Sequence, residues 1–466
     1  MIAEKDSAGI LRRFSKPQNV LLLLGGVFGL LFVFFTPPAL VGDEPNHFFR
    51  AYQISEGVII GEKRGDLSGG WLPKNVLLVN RRLVGDIEMR HDVKFDTKLI
   101  SEFLYLPLND EDKVFERFPN TVVYSPIPYA PQVLGILVGK PFNASPLALI
   151  YLARIFNLLF FLSLAYFAIK TTPIHKWVFC LLCLTPTNIF QVASASVDAF
   201  TYGICFLTIA HFLFYALDEN GKLTGLDIAK IFALSVLSVL TKQAYVLLPL
   251  LFLLIPSGKF GSIKTYLISF LALLAAAVGS VAAWSAAVKP VFLPYRNDQP
   301  MSPEEQMSFI MGAPLNFIGM VVRDYITNFW FYFKSFSGQL TWFDLYVPDY
   351  LPIFVFAVLV GYALLDKDEK KELPQIGKFV FPAIIVGTAF IISTLLYMTW
   401  SPIRGNNIEG VQGRYFIPIA PLFFLLFYNK KVKWTLFDGY AHIFVYVTVV
   451  FWLLITANAV FRRYYV

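Results

Sequence analysis

The sequence predicts an all-α, polytopic membrane protein, on three grounds: its composition, the length of its apolar runs and the placement of its lysines. Of 466 residues, 56% are hydrophobic and 17% aromatic, while only 15% are charged. A soluble chain usually carries about 25% charged residues. Stretches such as 20–37, 147–168 and 266–288 carry almost no charge. Each approaches the roughly 20 residues that a helix needs to cross some 30 Å of hydrocarbon. Inside lipid every backbone N–H and C=O needs an internal partner, so repeated runs of this length are helices.

Taken in order, the expected spans are 19–40, 146–169, 177–195, 199–217, 226–241, 243–256, 263–288, 348–365, 378–400, 415–428 and 436–460, about eleven in all. The first follows Lys5, Arg12, Arg13 and Lys16, as a signal peptide would. Its length and the lack of a small-residue cleavage site make it a retained span. Alternate loops then carry the positive charge: Lys170 and Lys176; Lys222 and Lys230; Lys259 and Lys264; Lys367, Lys370, Lys371 and Lys378; Lys430, Lys431 and Lys433. Positive loops stay in the cytoplasm, which places the N-terminus there and the other loops outside. Arg462 and Arg463 run against this map.

Two segments are apolar without being read as spans. Segment 122–142 is broken early by Pro126, Pro128 and Pro131, and counting it would invert every downstream loop. It is expected beside the membrane. Segment 315–333 contains Arg323 and Asp324 and is expected as an interfacial helix. The hairpin 226–241/243–256 is short enough to be re-entrant. Two large outer loops result, about 42–124 and 289–346, in a single membrane domain spanning 1–466. No repeat and no soluble nucleotide-binding unit is visible. A net charge of +7 would suggest nucleic acid in a soluble protein, but here it marks topology, and no nucleic-acid partner is expected. Cys180, Cys183 and Cys205 lie in apolar segments and read as buried thiols.

The polar residues worth singling out all fall on the outer side of this map. Gly42-Asp43-Glu44-Pro45-Asn46-His47-Phe48-Phe49-Arg50 follows the first span directly. On a helix running to about residue 56, Asp43, His47 and Arg50 share one face. An acid followed by Pro is also an ordinary helix start. Asp198 sits in the turn Ser194–Ala199 and fits a cap equally well. Lys242 breaks the positive-inside pattern, which suits a lipid phosphate or a snorkelling side chain. Arg414 enters a span behind Gln412 and Gly413, and its fork fits phosphate or carboxylate. Asp110-Glu-Asp112 and Asp366-Lys-Asp368 read as solvated charge. No metal-ligating spacing is present.

The acidic pair, the Ser196–Ala199 turn, Lys242 and Gln412-Gly-Arg414-Tyr-Phe-Ile-Pro418 together resemble a bacterial multi-pass membrane family, domain-of-unknown-function family 2142. That family is related to the GT-C glycosyltransferases. The resemblance spans about residues 20–430. It implies a GT-C-like fold in the bacterial cytoplasmic membrane, with a polyprenyl-phosphate-linked sugar as donor. The acceptor would be an envelope glycan or a lipid-linked saccharide on the extracytoplasmic face, and the other partners membrane lipids. Asp43 or Glu44 would be the catalytic base, with His47, Arg50, Asp198, Lys242, Gln412 and Arg414 binding substrate or lipid phosphate. The contiguous Asp-Glu departs from an Asp-x-Asp metal pattern, so a divalent cation is the only cofactor suggested, without a defined site. Segments 122–142 and 315–333 would wall a groove for the lipid tail. The rival expectations are a transporter or flippase of a lipid-linked saccharide and an envelope scaffold. A transporter's polar residues should reach both sides, and such folds often show repeated halves.

Overall fold

The computed structural model describes residues 15–88, 90–219, 221–294, 301–341, 345–366, 368, 370–429, 431–432 and 435–466. Lys5, Arg12 and Arg13 and the topology markers Lys367, Lys430 and Lys433 lie outside the described residues, as do 295–300 and 342–344 of the second large loop.

Helices dominate. We label α1 (Pro17–Phe35), α2 (Glu44–Ser55), α3 (Pro146–Thr171), α4 (Asp198–Leu217), α5 (Gly225–Thr241), α6 (Ile263–Val288), α7 (Phe329–Ser337), α8 (Gly377–Thr399) and α9 (Thr435–Tyr464). Among the described residues six helical stretches are long and apolar enough to cross a membrane: α1, α3, α4, α6 with its extension to Val291, α8, and Gly439–Tyr464 of α9. A seventh would be Pro303–Gly312 with Pro314–Thr327, which bend by 105° at their junction.

The other expected spans also coincide with helical stretches, but shorter or broken ones. The stretch 177–195 divides into Lys176–Cys183 and Pro186–Val192, because Pro186 has no N–H to continue the preceding turn and starts a new one. Gln243–Leu254 is a run of 3-10 turns, Tyr350–Leu365 has 16 residues, and Gly413–Ile419 is a 3-10 helix leading into Ala420–Leu425. Segment 122–142 holds the 3-10 turn Ile127–Tyr129, the ten-residue helix Ala130–Gly139 and the 3-10 turn Lys140–Phe142, a helical stretch shorter than the six above. Segment 315–333 is divided at Asn328 between Pro314–Thr327 and α7.

The interior is built around α4, whose apolar window is 83% buried. It packs between α3 and α5, and α1 lies on the far side of α3. The α1–α3 approach depends on Gly29, where a Cβ would fall 2.5 Å from Leu158 Cδ1. Small residues at such crossings let helix backbones close up. The window of α6, by contrast, is 11% buried. Caps define the ends: Ser145 accepts from Ala148 N before α3, and Thr224 and Asp227 form a capping box at α5.

The first large loop is not wholly helical. It carries a three-stranded antiparallel sheet of β1 (Glu62–Arg64), β2 (Leu67–Pro73) and β3 (Lys113–Arg117), with Glu62 opposite Gly69 and Trp71 opposite Phe115. The all-α expectation therefore needs correcting in this loop; β1 and β3 are short and charged, and β2 has Gly69 and Gly70 at its middle, which leaves little alternation to read. A two-stranded ladder, Gln339–Leu340 with Leu345–Tyr346, lies in the second. The C-terminal end of α9 reaches the same loop. Arg463 donates to Ile87 O at 2.8 Å and Val93 O at 3.1 Å, and Lys94 donates to Arg462 O at 2.7 Å. The arginines that ran against the charge map thus lie beside the loop that follows α1.

Candidate functional site

Four charged side chains from distant parts of the chain meet where these helices end. Asp43 stands between α1 and α2 with φ of 64°, in the left-handed region, which Asp tolerates better than most residues. Its carboxylate makes no cap hydrogen bond to α2. It accepts instead from Asn120 Nδ2 and from Arg414, both at 3.3 Å.

Asp198 is the first residue of α4, and it does not cap that helix. Its side chain is 4% exposed, with Lys242 Nζ at 2.5 Å from Oδ1 and Arg414 NH1 at 3.8 Å from Oδ2. The turn before it is fixed by Asn157 on α3, which donates to Ser194 O at 2.7 Å and Ser196 O at 2.8 Å. Ser196 Oγ in turn accepts from Asp198 N at 3.1 Å.

Lys242 occupies the extended residue between α5 and the 3-10 turn Gln243–Tyr245. Segment 122–142 is tied to the same region, since Ser125 donates to Leu240 O at 2.6 Å. Arg414 is placed by Gly413, which lies directly on α7. Gly413 N donates to Ser335 Oγ at 2.8 Å, and a Cβ there would fall 2.0 Å from Tyr332 O. Only a glycine lets the loop descend that far. Lys242 Nζ and Arg414 Cζ lie 5.5 and 5.7 Å from the centroid of the Tyr415 ring, within cation–π range.

Two carboxylates and two cations leave this cluster formally neutral. Its donors are not exhausted: Arg414 Nε is buried with no hydrogen-bond partner, and an ammonium offers three donors. Asp43, 37% exposed in its side chain, is the more accessible of the two carboxylates.

His47 stands beside the cluster on α2, its Nδ1 2.9 Å from Tyr129 Oη and its ring 5.9 Å from those of Tyr124 and Tyr129. Burial lowers its pKa to about 4. Asp43 and Asp198 oppose that shift, and Lys242 and Arg414 add to it. The imidazole is neutral near pH 7. Burial also raises the Tyr124 and Tyr129 phenols, which stay protonated.

The remaining predicted residues lie apart. Glu44 is turned inward and held by Arg154 Nε at 2.7 Å and NH2 at 2.6 Å, with Ala195 N donating to it at 2.8 Å. Arg50 bonds Gln53 and the carbonyl of Ile59, closing the chain that leaves α2. Gln412 lines a small cavity on the Arg414 side of the cluster. Asp366 is not solvated as expected. It accepts from Trp177 N at 2.6 Å and Val178 N at 3.3 Å, and burial pushes its carboxyl up to about 7.

Arg154, Asn120, Asn157 and Tyr129 were not singled out from the sequence. Arg154 had a readable signal, because a lone guanidinium in an apolar run demands an anionic partner. Asn120 and Tyr129 had none. Among the described residues no three His, Cys, Asp or Glu side chains gather as a metal site.

No curated protein and no solved structure matches the chain. The family described as Predicted membrane protein (DUF2142) matches residues 26–423, which include Asp43, Asp198, Lys242 and Arg414, and the chain belongs to that family.

Proposed function

We propose that the protein is a glycosyltransferase that moves a sugar from a polyprenyl-phosphate carrier to an envelope glycan or lipid-linked acceptor. The observation that carries this reading is the Asp43–Arg414–Asp198–Lys242 cluster, which sets a partly exposed carboxylate beside two cations with spare donors at the ends of apolar helices. The GT-C-like fold with about eleven spans, a cytoplasmic N-terminus and an extracytoplasmic site in the bacterial cytoplasmic membrane belong to the same proposal. They rest on the alternation of lysine-rich loops and on the resemblance of the motifs.

In the proposed reaction Asp43 takes the proton of an acceptor hydroxyl, and that oxygen attacks the anomeric carbon. The bond from this carbon to the phosphate oxygen breaks, and its electron pair leaves with the polyprenyl phosphate. Lys242 and Arg414 meet the charge that grows on the departing phosphate. Asp198 holds both cations in place. Direct displacement inverts the anomeric centre. Glu44, saturated by Arg154 and Ala195 N, fits a structural role better than that of base, which leaves the base to Asp43.

The test is the glycan composition of cells carrying wild type, Asp43→Asn or a deletion, at matched membrane expression. The proposal expects one sugar substituent to vanish in both mutants. Full wild-type glycan in Asp43→Asn overturns it. Carrier crossing the bilayer without bond cleavage, in vesicles holding the purified protein, would replace it with transport.

A further inference from the structure

The adjacent acids Asp43 and Glu44 each meet an arginine, and the two pairs differ in geometry. Arg154 grips Glu44 through two hydrogen bonds, at 2.7 and 2.6 Å. Arg414 gives Asp43 a single one, from NH2 to Oδ2 at 3.3 Å. The two-bond fork is the stronger arrangement, and the last torsion of an Asp side chain is soft. Asp43 would therefore turn both oxygens onto the guanidinium unless something restrained Oδ1.

That restraint is Asn120, whose Nδ2 donates to Asp43 Oδ1 at 3.3 Å. Asn120 lies in the four-residue helix Pro119–Val122, just beyond β3. The segment is anchored on both sides of it: Phe118 N donates to Ser68 O at 3.0 Å, and Thr121 Oγ1 to Asn46 O at 2.9 Å. An ionised carboxylate only accepts, so Asn120 has to offer Asp43 its NH2 rather than its oxygen. The oxygen is taken up by Asn46, on the first turn of α2, whose Nδ2 donates to Asn120 Oδ1 at 2.8 Å. Asn46 thus opposes a flip of the Asn120 amide.

We infer that Asn120, steadied by Asn46, is a positioning residue that keeps Asp43 and Arg414 in single contact. The inference rests on the reading of Asp43 as the base and of the neighbouring cations as the place of the carrier phosphate. In single contact the carboxylate keeps lone pairs for the proton of an acceptor hydroxyl, and the guanidinium keeps donors for the phosphate. Closed into a fork, each would satisfy the other and neither would serve a substrate.

Binding of a short-chain polyprenyl phosphate to the purified full-length protein in nanodiscs tests this without requiring turnover. Asn120→Ala lets Asp43 close on Arg414, and is expected to weaken binding about ten-fold. Asn46→Ala should weaken it less, and the two together no more than Asn120→Ala alone. The deciding comparison is in the Asp43→Asn background, which has no carboxylate to close. There Asn120→Ala and Asn46→Ala should leave the affinity unchanged. The same loss in both backgrounds would make Asn120 merely structural and overturn the inference, as would unchanged affinity of Asn120→Ala and Asn46→Ala when Asp43 is present. If Asn120→Ala does not fold, Asn46→Ala, which leaves Asn120 in place, carries the same comparison. Failure of the wild-type protein to bind the probe overturns the carrier-phosphate reading, and the positioning role falls with it.

Discussion

Arg154 and Glu44 form a doubly hydrogen-bonded ion pair that is wholly buried, at 2.7 and 2.6 Å. The guanidinium spends its other hydrogen bonds on Val33 O, Thr36 O and Pro37 O, where α1 ends. The carboxylate also accepts from Ala195 N. One pair thus joins the end of α1, the start of α2, the middle of α3 and the turn that precedes Asp198. It fixes the entry to the site without taking part in the charged cluster.

Breaking a buried pair from one side leaves an uncompensated charge, which costs about 3–5 kcal/mol. Glu44→Gln and Arg154→Met are each expected to lower the melting temperature of the detergent-purified protein and its membrane yield. The double variant should recover part of the loss, because neither charge is then left alone. A double-mutant cycle on thermal stability measures the coupling. Additive losses would show that the two residues do not depend on each other.

Gly413 supplies a second prediction. A methyl group there would meet Tyr332 O at 2.0 Å and Phe336 N at 2.4 Å, both backbone atoms of α7. Gly413→Ala must therefore push the Arg414 loop away from α7, at a cost of about 1–3 kcal/mol for overpacking. Gly319, inside the helix Pro314–Thr327, has nothing within 4 Å of the same added atom. Gly319→Ala is expected to be neutral or mildly stabilising, since alanine favours helix. Melting temperatures of the two variants make the comparison.

How far these features could be read in advance depends on their range. Apolar runs announce helices because lipid leaves the backbone no other partner, and helical stretches lie at each expected position from 19–40 to 436–460. Pairings are another matter. Asp43 and Asp198 were picked out by residue type, but that Arg414 bridges them depends on contacts over more than 200 residues. Glu44 and Asp43 are adjacent and chemically alike, yet the left-handed backbone at Asp43 sends one outward and the other to Arg154. No local pattern encodes that choice. The small sheet of the first loop escaped for a related reason, as it pairs β2 with β3 across some forty residues and is tied to α2 by Gln53, which donates to Gly69 O at 3.1 Å.

His47 predicts a dependence on pH. Its pKa falls from 6.5 to about 4 on burial, so between these values the unfolded chain binds a proton that the folded chain refuses. Stability is complete above pH 6.5 and declines as pH drops toward 4, by ~3 kcal/mol at most. His47→Gln, which keeps a polar group near Tyr129 but cannot titrate, should flatten that part of the profile. Thermal melts of both proteins from pH 7.5 to 4.5 read the difference. Parallel profiles would mean that His47 does not carry the acid sensitivity.

The cluster itself predicts that binding and chemistry separate. Asp43 and Arg414 are in contact at 3.3 Å, so removing the aspartate charge frees a guanidinium for anion binding while removing the proposed base. Asp43→Asn should keep or improve affinity for polyprenyl phosphate and slow sugar transfer by about 10²–10⁴-fold, the usual contribution of a general base. Lys242→Gln and Arg414→Gln should do the reverse in binding, weakening affinity for the carrier phosphate. Each also strips a cation from Asp198, whose side chain is only 4% exposed, so loss of stability has to be measured beside loss of affinity. Asp198→Asn combined with Lys242→Gln removes the buried charge together with its partner. If that double variant folds like wild type and still binds carrier weakly, the affinity belonged to the ammonium. If it binds carrier normally, Lys242 serves Asp198 alone, and Arg414 is left as the cation that faces the phosphate.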